Sequence, residues 1–451
     1  MKRKDDEKER SCSKSSKLDP ITLDLKMARV TRLPSVHLGG TLKRKERDYE
    51  EEDEKDTTNP SKLGLDSLPL DLKMAILTRM PAKFLMKLRC VSKMWSSIIR
   101  SRGFIDSYYA TSSRQSRFIV GFSNGVFGTP EERLTFFFSF SHDEGQESSS
   151  LLPTFEMAVP TYSFSNHTRF LASFHGILAV LAGTKWLLCN PSTEQVLMFP
   201  ANIAFVCYDP IDDQYKALAF DNKIWEDPIA HLKHKVLTLG GGQAWRHIKG
   251  TPLPYRASES NVCINGFLYY AASLTKTDDT VMVCFDVRSE KLSFINAPKV
   301  VAQWGRESVF IEYKGKLASI VRDPYGRANS FDLWILEDVE KHEWSKQTCV
   351  FPSSLWDDID EYRGIRFPGT NKAGEIIIAP KNLSCKVQPF YIFYYNVETQ
   401  NLRRVRLLGI GDSEEFRRSY GFGKIADDSL VMIAHQHVES VGFLKDPIIL
   451  T

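Results

Sequence analysis

One two-part unit recurs along most of this 451-residue chain, and it constrains the fold more than any other feature. Its first part is a glycine followed by an apolar run: HGIL at Gly176, NGFLY at Gly266, KGKL at Gly315 and AGEI at Gly374. Its second part is an apolar run that stops at Asn or Asp before a polar turn: LLCNPSTEQV at Asn190, VCFDVRSEKL at Asp286, WILEDVEKHEW at Asp338 and FYYNVETQNL at Asn396. Glycine enters the positive-φ region of a tight turn without a Cβ clash, and an Asx side chain accepts hydrogen bonds from its own turn. Each unit therefore reads as short antiparallel strands joined by hairpins. The four glycines are 90, 49 and 59 residues apart, and the first interval has room for one more unit, from FVCYDPIDDQYKALAF to HKVLTLGGGQAWRHI. A period of about 45–55 residues built from short antiparallel strands is the signature of a β-propeller. The expected count is six blades, with residues 115–160 and 415–445 supplying a first blade and the closing strands.

The stretch before the repeats follows a different period. Pro69 stands where a helix can begin, since its missing N–H costs nothing in a first turn. Leu72, Ile76, Leu77 and Met80 then recur at helical spacing, and Pro81 stops the helix. A second series runs through Leu85, Leu88, Val91, Trp95, Ile98 and Ile99, with Ser92 a candidate cap at a break. Two or three helices of this size hold little core of their own. From Lys62 to Arg114 there are ten Lys/Arg against three Asp, a local charge of +7 in a chain whose net charge is only +3. A basic, underfilled helical module calls for a partner with an apolar groove and an acidic rim, or for docking on the rest of the chain.

LDSLPLDLKMAILTRMPAKFLMKLRCVSKMWSSIIRSRGF resembles an F-box over residues 63–108, through Leu68-Pro69, Ile76-Leu77, Arg79-Met80-Pro81 and the run RCVSKMW. The resemblance implies binding to the Skp-type adaptor of Skp–cullin–F-box ubiquitin ligases, with Leu68, Pro69, Leu77, Leu85, Leu88, Val91 and Trp95 facing the adaptor. Phe84 departs from the family, whose relatives usually carry Ser there.

Residues 1–62 are crowded with charge, with basic clusters at Lys2–Lys4 and Lys43–Lys45 and an acidic run from Glu50 to Glu54. Such a segment buries too little apolar surface to offset the entropy of ordering and is expected to be disordered. It contains DLKMARVTRLP, from Asp24, which repeats DLKMAILTRMP, from Asp71. The first copy lacks a second helix and places Arg29 where the other has Ile76. An isolated helix of about ten residues is marginal in water. It is read as a duplication fragment without adaptor binding; the alternative is a decoy for the true site. The start of the chain has no signal-peptide pattern, and the dispersed cysteines include no CxxC pair, so a nuclear or cytoplasmic location is expected.

Residues 115–450 resemble the plant type 3 F-box-associated domain through CINGFLYYAA, VCFDVRSEKLSFI, YKGKLA and LWILEDVEKHEWSK. Trp334 and Trp344 fall in strands and are expected in the core. The fold class is thus mostly β, a small N-terminal α module followed by a propeller.

Chemistry is sparse. The chain has no HExxH, Walker or dinucleotide motif. Gly240–Gly242 lack the Lys and helix that a phosphate loop requires, and read as a turn. His231 and His234, with His247 nearby, would share a metal only on a helix, and Asp209, Asp212 and Asp213 read as a solvated turn. No catalytic residue, cofactor or metal is expected, and neither nucleic acid nor membrane is an expected partner. The resemblances imply a non-catalytic substrate-recognition subunit that docks the Skp-type adaptor, and through it cullin, and brings a target protein that the sequence does not identify. An adaptor-binding protein outside ubiquitylation and a propeller enzyme stay open as alternatives. Trp225, Trp304 and Trp356 fall outside the expected strands, each beside charge, and are candidate target-binding anchors.

Overall fold

Four short helices precede a ring of six antiparallel sheets. The computed structural model describes residues 68–442 except for 125–133, 143–149, 161–167, 183–184, 200–202, 222–232, 240–243, 249–254, 275–276, 278, 303–306, 323–328, 360–363, 385 and 423–428. The tail expected over 1–62, with its copy of the repeated phrase, lies outside the described residues.

Among the described residues the first blade joins β1 (Ser116–Ser123), β2 (Leu134–His142) and β4 (Thr154–Pro160), with β3 (Ser150–Leu151) between the last two in sequence. The second is β5 (Thr168–Phe174), β6 (Ile177–Ala182), β7 (Lys185–Asn190) and β8 (Gln195–Phe199). The third is β9 (Ile203–Asp209), β10 (Gln214–Asp221), β11 (Lys233–Thr238) and β12 (Arg246–His247). The fourth is β13 (Tyr255–Ile264), β14 (Phe267–Leu274), β15 (Thr280–Asp286) and β16 (Lys291–Asn296). The fifth is β17 (Glu307–Tyr313), β18 (Lys316–Arg322), β19 (Ser330–Asp338) and β20 (Glu343–Val350). The sixth is β21 (Ile365–Thr370), β22 (Ile376–Pro380), β23 (Phe390–Asn396) and β24 (Asn401–Leu407), to which β3 adds a parallel edge strand. The C-terminal β25 (Val431–Ala434) pairs antiparallel with β1 and completes the first blade. The ring is closed by the two ends of the repeat region, as the six-blade reading expects.

The hairpins follow the chemistry of the repeat. Asn190, Asp286, Asp338 and Asn396 each accept from backbone N–H groups two and three residues on, at 2.9–3.3 Å. The residue four after each Asx, Glu194, Glu290, His342 and Gln400, has positive φ. In the third blade the same turn, Asp209 to Asp213, joins the first two strands, where the other repeats use glycine.

The core is a series of inter-blade layers. Leu178, Leu187 and Cys189 of the second blade meet Ile119 and Phe137 of the first. Phe205 and Leu218 of the third meet Tyr270 and Phe285 of the fourth. Phe331 and Leu333 of the fifth meet Ile378 and Tyr395 of the sixth. Each blade is covered on both faces by its neighbours, so strands such as β22 are buried at every position. Trp334 and Trp344 are half-buried against the layer between the fourth and fifth blades. The Trp344 indole N–H donates to the Asn296 carbonyl at 2.9 Å.

Candidate adaptor-binding surface

The helical module contains one helix more than the spacing suggests: α1 (Leu70–Leu77), α2 (Ala82–Val91), α3 (Lys93–Arg100) and α4 (Arg102–Ser112). Pro69 and Pro81 stand in extended conformation immediately before α1 and α2, where their fixed φ starts a helix and removes no bond. Ser92 ends α2 and caps α3, accepting from Met94 N at 3.1 Å. Ser101 caps α4 in the same way through Phe104 N. Phe84 sits inside α2 with its side chain exposed, so the departure from Ser leaves the helix start intact and adds apolar surface.

The apolar residues divide into an inner and an outer set. Leu77, Leu85 and Trp95 are buried together with Ala82, Ile99, Phe104 and Tyr108. This corrects their expected place on the surface: helical spacing identifies an apolar face, and here that face closes on the module's own core. Leu68 and Leu88 are half-buried, while Pro69 and Val91 are exposed. Leu70, Leu72, Phe84 and Val91 are 59%, 52%, 45% and 74% exposed. Phe84, Leu88 and Val91 recur at i, i+4 and i+7, one stripe of α2. Arg79, Lys87, Lys93, Arg100 and Arg102 are exposed on the same module. The resemblance does not include Leu70 or Leu72 in the adaptor-facing set, although helical spacing puts Leu72 on the apolar face of α1. Their signal was that α1 carries more leucines than one core-facing stripe can use.

The module is held to the propeller by polar contacts. Lys83 of α2 is 3.1 Å from Glu156 Oε2 and donates to the carbonyls of Phe155 and Glu156. The Ser139 hydroxyl donates to the other Glu156 oxygen. Burial nevertheless pushes the Glu156 carboxyl above its ordinary range, outweighing Lys83 and Ser139. Tyr109 of α4 packs edge-on against His175, ring centres 3.7 Å apart, while His175 Nδ1 lies 2.6 Å from the Tyr208 hydroxyl. Lys372 donates to the carbonyls of Ser113, Arg114 and Gln115, just past α4.

These contacts define the two faces of the ring. His175 and Lys372 lie in hairpins between first and second strands of their blades. Antiparallel order puts those hairpins, and the third-to-fourth ones, on one face, the face that carries the helices. Several connections on the opposite face are longer. They include 351–364, with helix α6 (Leu355–Asp358), and 408–430, with α7 (Glu414–Ser419); the short α5 (Lys299–Ala302) lies between β16 and β17. Trp356 belongs to α6 and is half-buried against the core of the fifth and sixth blades, not free on a loop. Its indole N–H donates to Asn329 Oδ1 at 2.8 Å, and Arg322 lies over its ring. The apolar gap between blades is what draws it in. Trp225 and Trp304 fall in the β10–β11 and β16–β17 connections, outside the described residues.

The residues weighed for chemistry are placed as follows. His234 lies in β11, a strand and not a helix, fully buried with Nε2 2.5 Å from the Tyr255 hydroxyl. His247 is exposed on β12, and His231 and Gly240–Gly242 lie outside the described residues. Among the described residues no cluster of three or more His, Cys, Asp or Glu is arranged to hold a metal ion. Burial pushes the Cys189 thiol up to about 12 and those of Cys263 and Cys349 up to about 11, which favours the protonated thiol over the thiolate. No helix among the described residues is long and apolar enough to cross a membrane.

Comparison with known proteins agrees with this architecture. The profile of the F-box domain matches residues 65–107, and that of the F-box associated beta propeller domain matches residues 119–438. The Arabidopsis thaliana F-box relative At1g32660 is 62% identical over 457 residues, covering 99% of both chains. F-box protein At1g30790 of the same plant is 47% identical and covers 80% of this chain and 94% of its own. F-box protein DOR, also from Arabidopsis thaliana, is 34% identical over 73% of this chain and 85% of its own. A helical module matched by the F-box profile, joined to a ring matched by the propeller profile, places the chain in the family of F-box proteins that carry an F-box associated β-propeller domain.

Proposed function

We propose that this chain is the substrate-receptor subunit of a Skp–cullin–F-box ubiquitin ligase. The F-box docks the Skp-type adaptor, the adaptor brings cullin, and the propeller holds a target protein. The observation that supports it best is the exposed apolar set Leu70, Leu72, Phe84 and Val91 beside five exposed cations, on a module otherwise closed around its own core. Exposed apolar residues rimmed by charge mark an interaction site. Pro69 and Leu68 precede Leu70 in the chain and Leu88 shares the α2 stripe of Phe84 and Val91, so the proposal includes them in the adaptor surface.

The propeller contributes proximity, not chemistry. Holding a target near a transferring enzyme raises the effective concentration of its lysines. The helices occupy the hairpin face, so the target is received on the opposite face, where long connections carry α6 and α7. The complex works in the nucleus or the cytoplasm.

The test is reconstitution. Purified chain, Skp-type adaptor and cullin should co-elute as one complex. The double variant Leu72→Asp/Val91→Asp should keep its melting temperature and leave the complex. Proximity labelling in cells with that variant should trap targets that accumulate instead of turning over. A variant that still co-elutes at the wild-type yield would remove this surface from adaptor binding.

A further inference from the structure

The last described residues of the chain, 435–442, run from the closing strand β25 back between the second blade and the F-box. Val441 is 1% exposed and belongs to the F-box core, packed with Leu85, Trp95 and Phe104. Glu439 accepts from the Tyr108 hydroxyl at 2.8 Å and donates its N–H to Ser112 Oγ at 3.1 Å, both on α4. On the propeller side, Asn190 Nδ2 donates to the carbonyls of Ser440 and Gly442 at 3.1 and 2.8 Å. Gly176 lies so close beneath that a Cβ there would stand 2.4 Å from the Ser440 Cβ. Gly176 also has φ +83°, so the turn needs glycine for both its conformation and this approach.

We infer that ring closure and completion of the F-box are one event. The helical module lacks part of its core until Val441 arrives, and Val441 arrives only when β25 has paired with β1 and the strap has seated on Asn190. Four short helices with little core of their own are marginal. A side chain from the far end of the chain that fills this core therefore decides whether the module is formed. A chain whose propeller is open or unfinished would not present an ordered adaptor surface. This inference rests on packing alone and stands apart from what the F-box binds.

Hydrogen exchange on the full-length protein tests it. Asn190→Asp keeps the side-chain oxygen that accepts from Ser192 and Thr193 but loses the donor to the strap. It touches no F-box residue in the contacts described. The expected result is exchange about 10-fold faster in α4 and α2, with β14 on the far side of the ring unchanged, as for a sub-global opening. Val441→Ala should give the same pattern from inside the F-box core. Exchange in α4 at the wild-type rate in Asn190→Asp would overturn the inference, and that variant decides alone if Val441→Ala unfolds the whole chain.

Discussion

The Tyr108 hydroxyl donates to Glu439 Oε2 at 2.8 Å across 331 residues of sequence. Arg117 at the start of β1 holds the other Glu439 oxygen. Burial and the Glu439 carboxylate together push the Tyr108 phenol well above its ordinary range, so it stays a donor. One residue of the F-box, one of the first blade and one of the C-terminal strap thus share a single half-buried site.

Replacing Tyr108 by Phe removes that donor and keeps the ring. The expected cost is about 1–2 kcal/mol, since a hydrogen bond to a charged group is lost while Arg117 still serves Glu439. A double-mutant cycle with Glu439→Gln in denaturant melts should return a coupling of about 0.5–2 kcal/mol. Additive effects would show that the two groups do not act together.

Leu85 and Val91 should give opposite phenotypes. Leu85 is fully buried, so Leu85→Ala should cost about 2–5 kcal/mol through the cavity it leaves. Val91 is 74% exposed, so Val91→Asp should change stability by no more than about 0.5 kcal/mol. In the proposed complex it is the Val91 variant that loses the adaptor. Calorimetry and adaptor capture on the same preparations separate the two effects.

Stability should fall in mild acid because of His435 and His437. Burial holds their folded pKa values down to about 4 and about 3, with Arg117 adding to the effect at His437. The unfolded chain takes up these protons below pH about 6.5, whereas the folded chain does so only near 4 and 3. The stability they support is complete above that unfolded value and is lost as pH falls from there through the folded values. His437→Gln should flatten the dependence of the melting temperature between pH 6 and pH 4, to about half if the two histidines contribute alike. An unchanged slope would assign the acid sensitivity elsewhere.

Lys83→Ala should destabilise the protein more at pH 8 than at pH 5. The Glu156 carboxyl already titrates above its unfolded value, so its contribution is complete below the unfolded pKa and is lost as pH rises through the folded one. Without Lys83 the buried carboxylate loses its cation, and protonation relieves it. Melts at the two pH values give the comparison directly; equal losses at both would show that Lys83 acts through packing alone.

Trp356→Ala should cost about 1–3 kcal/mol, less than a fully buried tryptophan. It removes an edge-on contact with Phe351 at 6.1 Å and the bond to Asn329. Urea melts should show a lower midpoint with an unchanged slope. A variant as stable as wild type would return this indole to the pool of free recognition residues.

The sequence by itself determined the repeated architecture and the local punctuation. Asn190, Asp286, Asp338 and Asn396 form the turns their residue type dictates, because an Asx turn is closed within four residues and needs nothing from elsewhere. Ser92 caps α3 and Pro81 starts α2 for the same reason. Blade number followed from counting such turns. The tertiary structure alone decided which apolar face meets which partner. Leu77, Leu85 and Trp95 share the helical spacing of an interface, yet they lie inside, because a period reports that a face is apolar and not what covers it. Trp356 looked like a loop residue and is drawn into a gap between blades that only the closed ring creates. Val441 carries no local mark at all. It joins the F-box core because the last strand returns to the first, and a contact made by closing the whole chain leaves no pattern in any window of residues around it.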